Sequence, residues 1–277
     1  MDYREFGPVE ALAPYVDRLW TLVGPADAGH ADGHVILPDG RPELVLHLGD
    51  PFERVAPGGS TRQASVLLAG QLTEQLVLRP TGRVAALGVR FHPFGAAACF
   101  AVPQQQLAGC TPAIDDLSPL LSASMARVRS QTDDVCEAVA LVQEALIAHV
   151  DGARIDVRIR RAAGLIERSN GRLSIDTVAS TVGTSRRHLE RQFLHTVGLG
   201  PKRLARIARF QRALRLMGPE NQGSGAATAA ACGYADQPHF IREFRRLAGC
   251  APSEHLLKRG ELTGFFVGEP RVATMQV

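Results

Sequence analysis

One segment occurs twice in this chain, and few folds tolerate such an echo. "TSRRHLERQF" at 184–193 is followed by "DQPHFIREF" at 236–244, which sets His239, Phe240, Arg242 and Phe244 in the order of His188, Leu189, Arg191 and Phe193. The match extends outward on both sides. Before the turn the copies lie 50 residues apart, pairing Ala179 with Ala229 and Gly183 with Gly233; after it they lie 51 apart, pairing Gly198 with Gly249 and Pro201 with Pro252. The single extra residue therefore falls in a turn. Each unit reads short helix, Gly-containing turn, second helix, then Gly and Pro, which is the sequence form of a helix-turn-helix.

The physics of that motif assigns roles. Ala179 and Ala229 are small where two helices cross steeply, and Gly183 and Gly233 suit a turn position with positive φ. Leu189/Phe193 and Phe240/Phe244, spaced i and i+4, anchor the second helix of each unit. Ser185 and Asp236 are expected N-caps, and Ser185 could help the helix N-terminus hold a phosphate. The residues left for the outward or flanking surface are Arg186, Arg187, Glu190 and Arg191 in one unit, and Gln237, His239, Ile241, Arg242 and Arg245 in the other. Arg can bond guanine O6/N7 bidentately and Gln adenine N6/N7, so such a first turn suits a major groove. His188 and His239 recur beside the apolar anchors, where a structural role is favoured over base contact. Pro238 marks the first helical turn.

Helical periodicity surrounds the repeat. Ile155, Ile159, Ala162, Ala163 and Ile166 share a face, with Asn170-Gly171 as a C-cap signal. Ser174 is an N-cap candidate for a short helix through Ile175, Val178, Ala179 and Val182. Leu204, Ile207, Phe210, Leu214 and Met217 then alternate with five arginines over 201–217, a helix stopped by Gly218-Pro219. The loop 220–225 is glycine-rich, and "AATAAACG" before the second copy is rich in alanine.

Charge divides the 277 residues. Residues 151–260 hold 20 Lys+Arg against 9 Asp+Glu, a net +11, whereas the remainder holds 11 against 19, a net −8. A basic part facing a polyanion beside an acidic part with another task is the natural reading. Five scattered cysteines form no CxxC pair and no zinc spacing; they read as small apolar residues. No apolar run approaches a bilayer span, and "MDYREFGPVE" lacks the basic start of a signal peptide, so a cytoplasmic location is expected.

The first ~110 residues read as mostly β. "HVILPDGRPELVLHLGD" (34–50) places two apolar runs around a Pro-Asp-Gly turn signal, and "RVAALGVRFHPFG" (83–95) has the composition of a buried strand. Short strands between turns suggest a sandwich or barrel. Over 133–150 the period changes, with Val135, Val139, Val142, Leu146 and Val150 on one helical face and Asp151-Gly152 ending it. Trp20 is expected in the core. His30, His34, His47 and His92 lie in loops and strands without the spacing of a metal site, and no P-loop, GxSxG or GxGxxG occurs. No catalytic residue, metal or cofactor is therefore expected.

"SRRHLERQFLHTVGLGP", a linker helix and "ACGYADQPHFIREFRRLAGCAPSEH" resemble the DNA-binding domain of AraC/XylS-type transcriptional regulators over about 155–259. The resemblance implies an α+β chain of two domains: a β-rich, cupin-like sensor domain with trailing helices over 1–150, and an all-α domain of seven helices with two helix-turn-helix units over 154–260, before a short tail, 261–277. It implies base reading by Arg187, Glu190 and Arg191 from the first unit and by Gln237 and Arg242 from the second. Lys202 and Arg206 would at most add sequence-independent contacts. The linker, roughly 25 Å long, would space two readers for successive major grooves about 34 Å apart. Double-stranded DNA is the implied partner, with a small-molecule effector, a second copy of the chain and RNA polymerase as further partners; no membrane partner is expected. The effector and its binding residues stay unassigned. The alanine-rich helix suggests a weaker second reader. Two rival readings remain: a cupin-like metal-dependent enzyme with an appended DNA-binding domain, and a nonspecific nucleic-acid-binding protein.

Overall fold

The computed structural model describes residues 1–25, 33–150, 152–217 and 225–257. The expectations for His30, Asp151, Gly218-Pro219, most of the 220–225 loop and the 261–277 tail lie outside the described residues. Among the described residues nine strands fill the first part of the chain: β1 (Asp2–Phe6), β2 (Val16–Gly24), β3 (His34–Ile36), β4 (Glu43–His47), β5 (Glu53–Ala56), β6 (Gly59–Arg62), β7 (Val66–Ala69), β8 (Leu76–Arg79) and β9 (Val84–Phe91). They form two antiparallel sheets, ordered β1-β2-β9-β4-β7 and β3-β8-β5-β6.

β9 is buried along its whole length because both faces of its sheet are covered. Ala85, Leu87, Val89 and Phe91 point to one face, where they meet helices α1 (Pro119–Gln131) and α2 (Val135–Val150) through Met125, Val139, Val142 and Leu146. Val84 and Ala86 point to the other face, where they meet Trp20, Leu22 and Phe52. The period of two therefore sorts one apolar run into two cores. In register with Trp20 stands Gly88, where a Cβ would overlap the indole ring.

Two details lie outside what the sequence reading stated. The Pro-Asp-Gly turn does not close a hairpin: β3 pairs with β8 in one sheet and β4 with β7 and β9 in the other, so 37–42 crosses between sheets. Helix α1 was also unexpected. Its signal is Ser118, whose hydroxyl accepts from Leu121 N, followed by Pro119 at the first helical position.

The second part of the chain is helical: α3 (Val157–Arg168), α4 (Ile175–Thr181), α5 (Arg186–Thr196), α6 (Pro201–Leu216), α7 (Gly225–Ala231), α8 (Gln237–Ala248) and α9 (Pro252–Leu257). Its core gathers the residues that the periodicity selects, Ile159, Ala162, Ala163, Ile166, Val178, Leu204, Ile207, Phe210 and Leu214 among them. Ile155 packs against this core from outside α3. Among the described residues no helix is long and apolar enough to cross a membrane.

The two parts share an interface. Leu37 and Phe94, from the β-rich part, are buried in the helical core. Gln211 Nε2, on α6, donates to Pro38 O at 2.7 Å, and Arg41 Nη2 donates to Glu167 Oε1 on α3 at 2.8 Å. Gly40 lies so close to α6 that a Cβ would stand 2.8 Å from Leu204 Cδ1. Further along, Arg203 Nη2 reaches Thr73 O at 3.5 Å.

Candidate nucleic-acid interface

Helix α4, its turn and α5 form the first unit; α7, its turn and α8 form the second. In each, the turn glycine adopts positive φ, 70° at Gly183 and 77° at Gly233, a region cheap only for glycine. Ala179 and Ala229 are buried at the crossings, as their size predicts. Leu189, Phe193, Phe240 and Phe244 are each at most 1% exposed, so both second helices are pinned by residues worth ~1.5–3 kcal/mol apiece. Phe244 also meets Phe210 of α6 edge-on at 5.1 Å, tying the second unit to the linker helix.

Both helices start on side-chain caps. Ser185 Oγ accepts from His188 N at 3.3 Å, and Asp236 Oδ1 accepts from His239 N at 2.6 Å. With the anchors inward, equivalent residues of the two helices share orientations. Arg187 and Arg191 of α5 lie exposed one turn apart, and Pro238 and Arg242 occupy the matching exposed places on α8. Arg245 is exposed one turn past Arg242, and exposed Arg246 beside it is a basic residue that the sequence reading left out.

The remaining candidates are placed differently. Arg186 is engaged on the flank of α5, with Nε donating to Glu190 Oε1 at 3.0 Å and Nη1 to Asp176 Oδ2 of α4 at 3.3 Å. Glu190, expected to read bases, is thus committed to an arginine in the free protein. Gln237 and Ile241 take the corresponding flank of α8, where they line a groove of about 310 Å³ with Arg245, Pro252 and Ser253. Ile241 also packs against the core. His188 Nδ1 lies 3.1 Å from Arg191 Nη2, and the His239 ring stands edge-on to Tyr234 at 5.5 Å, accepting from Ala235 N at 3.5 Å. Tyr234 is itself buried, and burial first, then nearby Glu243, raises its hydroxyl pKa. Arg206 is drawn from the solvent to Glu243 of α8 at 2.5 Å, so it joins helices.

In the β-rich part the histidines stay apart. His34 is buried in β3; His47, at the end of β4, lies edge-on to Phe52 at 5.3 Å; His92 stacks on Phe94 with Nε2 3.3 Å from Ala13 O. Among the described residues no group of three or more His, Cys, Asp or Glu is placed to hold a metal ion.

Residues 178–258 match a family model described as "Helix-turn-helix domain", and residues 4–111 match one described as "Domain of unknown function (DUF6597)". No curated protein matches. Among solved structures, a transcriptional regulator from Chromobacterium violaceum of the "AraC-type DNA-binding domain-containing proteins" is 31% identical, with 38% of this chain and 93% of that one covered and a TM-score of 0.35. A probable AraC family transcriptional regulator from Rhodopseudomonas palustris is 28% identical, with 36% and 95% covered and a TM-score of 0.34. ToxT from Vibrio cholerae spans more of the chain, 86% against 98% of its own, at 14% identity and a TM-score of 0.44.

Proposed function

This chain belongs to the AraC-type family of helix-turn-helix transcriptional regulators, and on that premise we propose that it reads one bipartite DNA site with α5 and α8. The observation that carries this reading is the paired exposure of Arg187 and Arg191 on α5 and of Arg242 on α8, at matching places on two capped and anchored helices. On this reading 154–260 is the DNA-binding domain, with α3–α9 as the family's seven helices. Residues 1–150 are then a cupin-like regulatory domain that responds to a small-molecule signal. Ser185 would present the α5 N-terminus to a phosphate. Arg186 and Glu190 would hold the first turn in place, and Gln237, His239, Ile241 and Arg245 would support or flank base reading by Arg242. A homodimer and contact with RNA polymerase fit a regulator of this kind.

Selection of bound fragments from genomic DNA tests the reading. Recovery of a shared sequence with two blocks about one helical turn apart is expected. Fragments without a common sequence, bound with an affinity that collapses as salt rises, would replace it with nonspecific polyanion binding.

A further inference from the structure

The β-rich part meets the helical domain through four separate stretches. In 37–42, Gly40 lies against Leu204 and Ile207 of α6. In 70–75, Thr73 O accepts from Arg203 Nη2 at the start of α6, and the Gln75 side chain fills the space where Gly249, at the end of α8, would carry a Cβ. Phe94 is buried in the helical core. A short 3₁₀ helix, Gln104–Gln106, lies against the end of α5, where a Cβ on Gly198 would stand 2.8 Å from Gln104 O. Gly198 and Gly249 are partners in the repeat. The second helices of the two units are therefore held at equivalent places by one body.

Gln71 joins all four stretches. It is 2% exposed, and its Nε2 donates to Gly40 O at 3.0 Å and to Pro93 O, beside Phe94, at 3.1 Å. Its own carbonyl accepts from Gly109 N at 2.9 Å, while the preceding Gly70 N donates to Cys110 O at 3.0 Å. Gly70 also packs so closely on Leu107 O that a Cβ would overlap it. Leu107 N in turn donates to Gln104 O at 3.0 Å, so the contact with α5 is continuous with the one to α8. An amide buried this deeply and donating to two loops fixes their separation, because breaking either bond leaves a donor and an acceptor desolvated.

Along the chain the two units are joined by α6, which packs on both α5 and α8. The tied stretches add a second connection. With α5, α6 and α8 each resting on them, α8 cannot tilt against α5 unless one contact opens. One extra base pair between two DNA blocks moves the second by about 3.4 Å and turns it by about 34° around the axis. Readers hinged at α6 alone could follow such a change; readers also braced past their C-terminal ends could not. We propose that Gln71 is the positioning residue of a brace that holds α5 and α8 at one separation, so that the β-rich part sets the spacing between DNA blocks that the protein accepts. The inference rests on the reading of α5 and α8 as two DNA readers and adds what fixes the distance between them.

The test uses the full chain and the two-block duplex selected as above, with companion duplexes in which one base pair is inserted or deleted between the blocks. Fluorescence anisotropy gives the ratio of affinities for the selected and altered spacings, a ratio that does not depend on the fraction of protein folded. The unmodified chain is expected to lose about 30-fold or more on either altered duplex. Gln71→Leu keeps a side chain of similar size but donates to neither Gly40 O nor Pro93 O; its loss should shrink to about five-fold or less. Gln75→Ala, at the partly exposed contact with Gly249, should change the ratio in the same direction. Base preference within each block should stay as it was in both variants. An unmodified chain that binds all spacings alike would overturn the brace. So would retention of the full loss by Gln71→Leu, or by Gln75→Ala should Gln71→Leu not fold. Relaxed base preference accompanying the relaxed spacing would also overturn it, since that marks general loosening of the readers. Recovery of no two-block sequence at all would sink the reading of two DNA readers itself, whereas a two-block site bound equally at every spacing sinks the brace alone.

Discussion

Arg41 Nη2 donates to Glu167 Oε1 at 2.8 Å, joining residues 126 positions apart and lying in different domains. Both side chains are largely shielded, and Arg41 also holds Asp17 at 3.3 Å. Burial raises the Glu167 carboxyl pKa while Arg41 pulls it down. Removing one partner leaves the other charge desolvated and unpaired, which costs more than the pair itself contributes. Arg41→Ala should lower stability by about 2 kcal/mol, and Glu167→Gln by less, because Arg41 keeps Asp17. Urea melts of both single variants and the double variant should show losses that are not additive. Additive losses would mean the contact is not formed in solution.

The arginines facing outward should separate from those engaged within the fold. Arg187→Ala, Arg191→Ala and Arg242→Ala should each relax base preference in one block of the site, with ~1–3 kcal/mol of discrimination lost. Lys202→Ala, on the exposed start of α6, should at most weaken all sequences alike. Arg206→Ala should instead lower stability, because Glu243 is left without its partner. Binding titrations against a panel of single-base variants, with thermal melts beside them, distinguish these cases. Equal losses on every sequence for Arg191→Ala would remove it from the reading set.

Cap loss should be felt at three helices. Ser174→Ala, Ser185→Ala and Asp236→Ala each remove an acceptor from a first-turn N–H, at a cost of about 1 kcal/mol apiece. Glycine at the same places should recover most of the loss, since it satisfies the backbone conformation of a cap. Equal damage from alanine and glycine would show that the hydroxyl or carboxylate has another task.

Stability should depend on pH through His47. Burial pushes its pKa down from 6.5 to about 4, so the ring is neutral in the folded protein. The unfolded chain then takes up a proton first as pH falls. This contribution to stability is fully present above about pH 6.5 and lost as pH falls through about 4, by up to about 3 kcal/mol. Comparing urea melts of the unmodified chain with those of His47→Gln isolates the effect from the titrating carboxylates. A difference between them that stays constant from about pH 7 to 4.5 would contradict it.

The helical domain was legible because its signals are local. Caps, turn glycines and i, i+4 anchors all fall within a dozen residues of each other, and the second copy repeats them. The β-rich part was legible only strand by strand. Nothing near 37–42 tells that Leu37 leaves its own sheet for the core of the other domain. Helix α1 was hidden because Leu120 is exposed while Ser122 and Ser124 interrupt the apolar pattern. In the candidate interface, Arg187 and Arg191 were readable as outward because Leu189 and Phe193 define the inward side. The engagement of Arg186 with Asp176, ten residues away on another helix, and that of Arg206 with Glu243 depend on how helices cross, which no single helix records.

Gly198 and Gly249 give the duplication a second meaning. Each of α5 and α8 carries the proposed DNA-facing residues on its exposed side and, just past its C-terminal end, a glycine against which the β-rich part packs. Backbone seats do not depend on which side chains occupy the reading faces. On the proposed reading, drift at Arg187, Arg191 or Arg242 would redirect the protein to new DNA sites and leave its contacts with the β-rich part untouched.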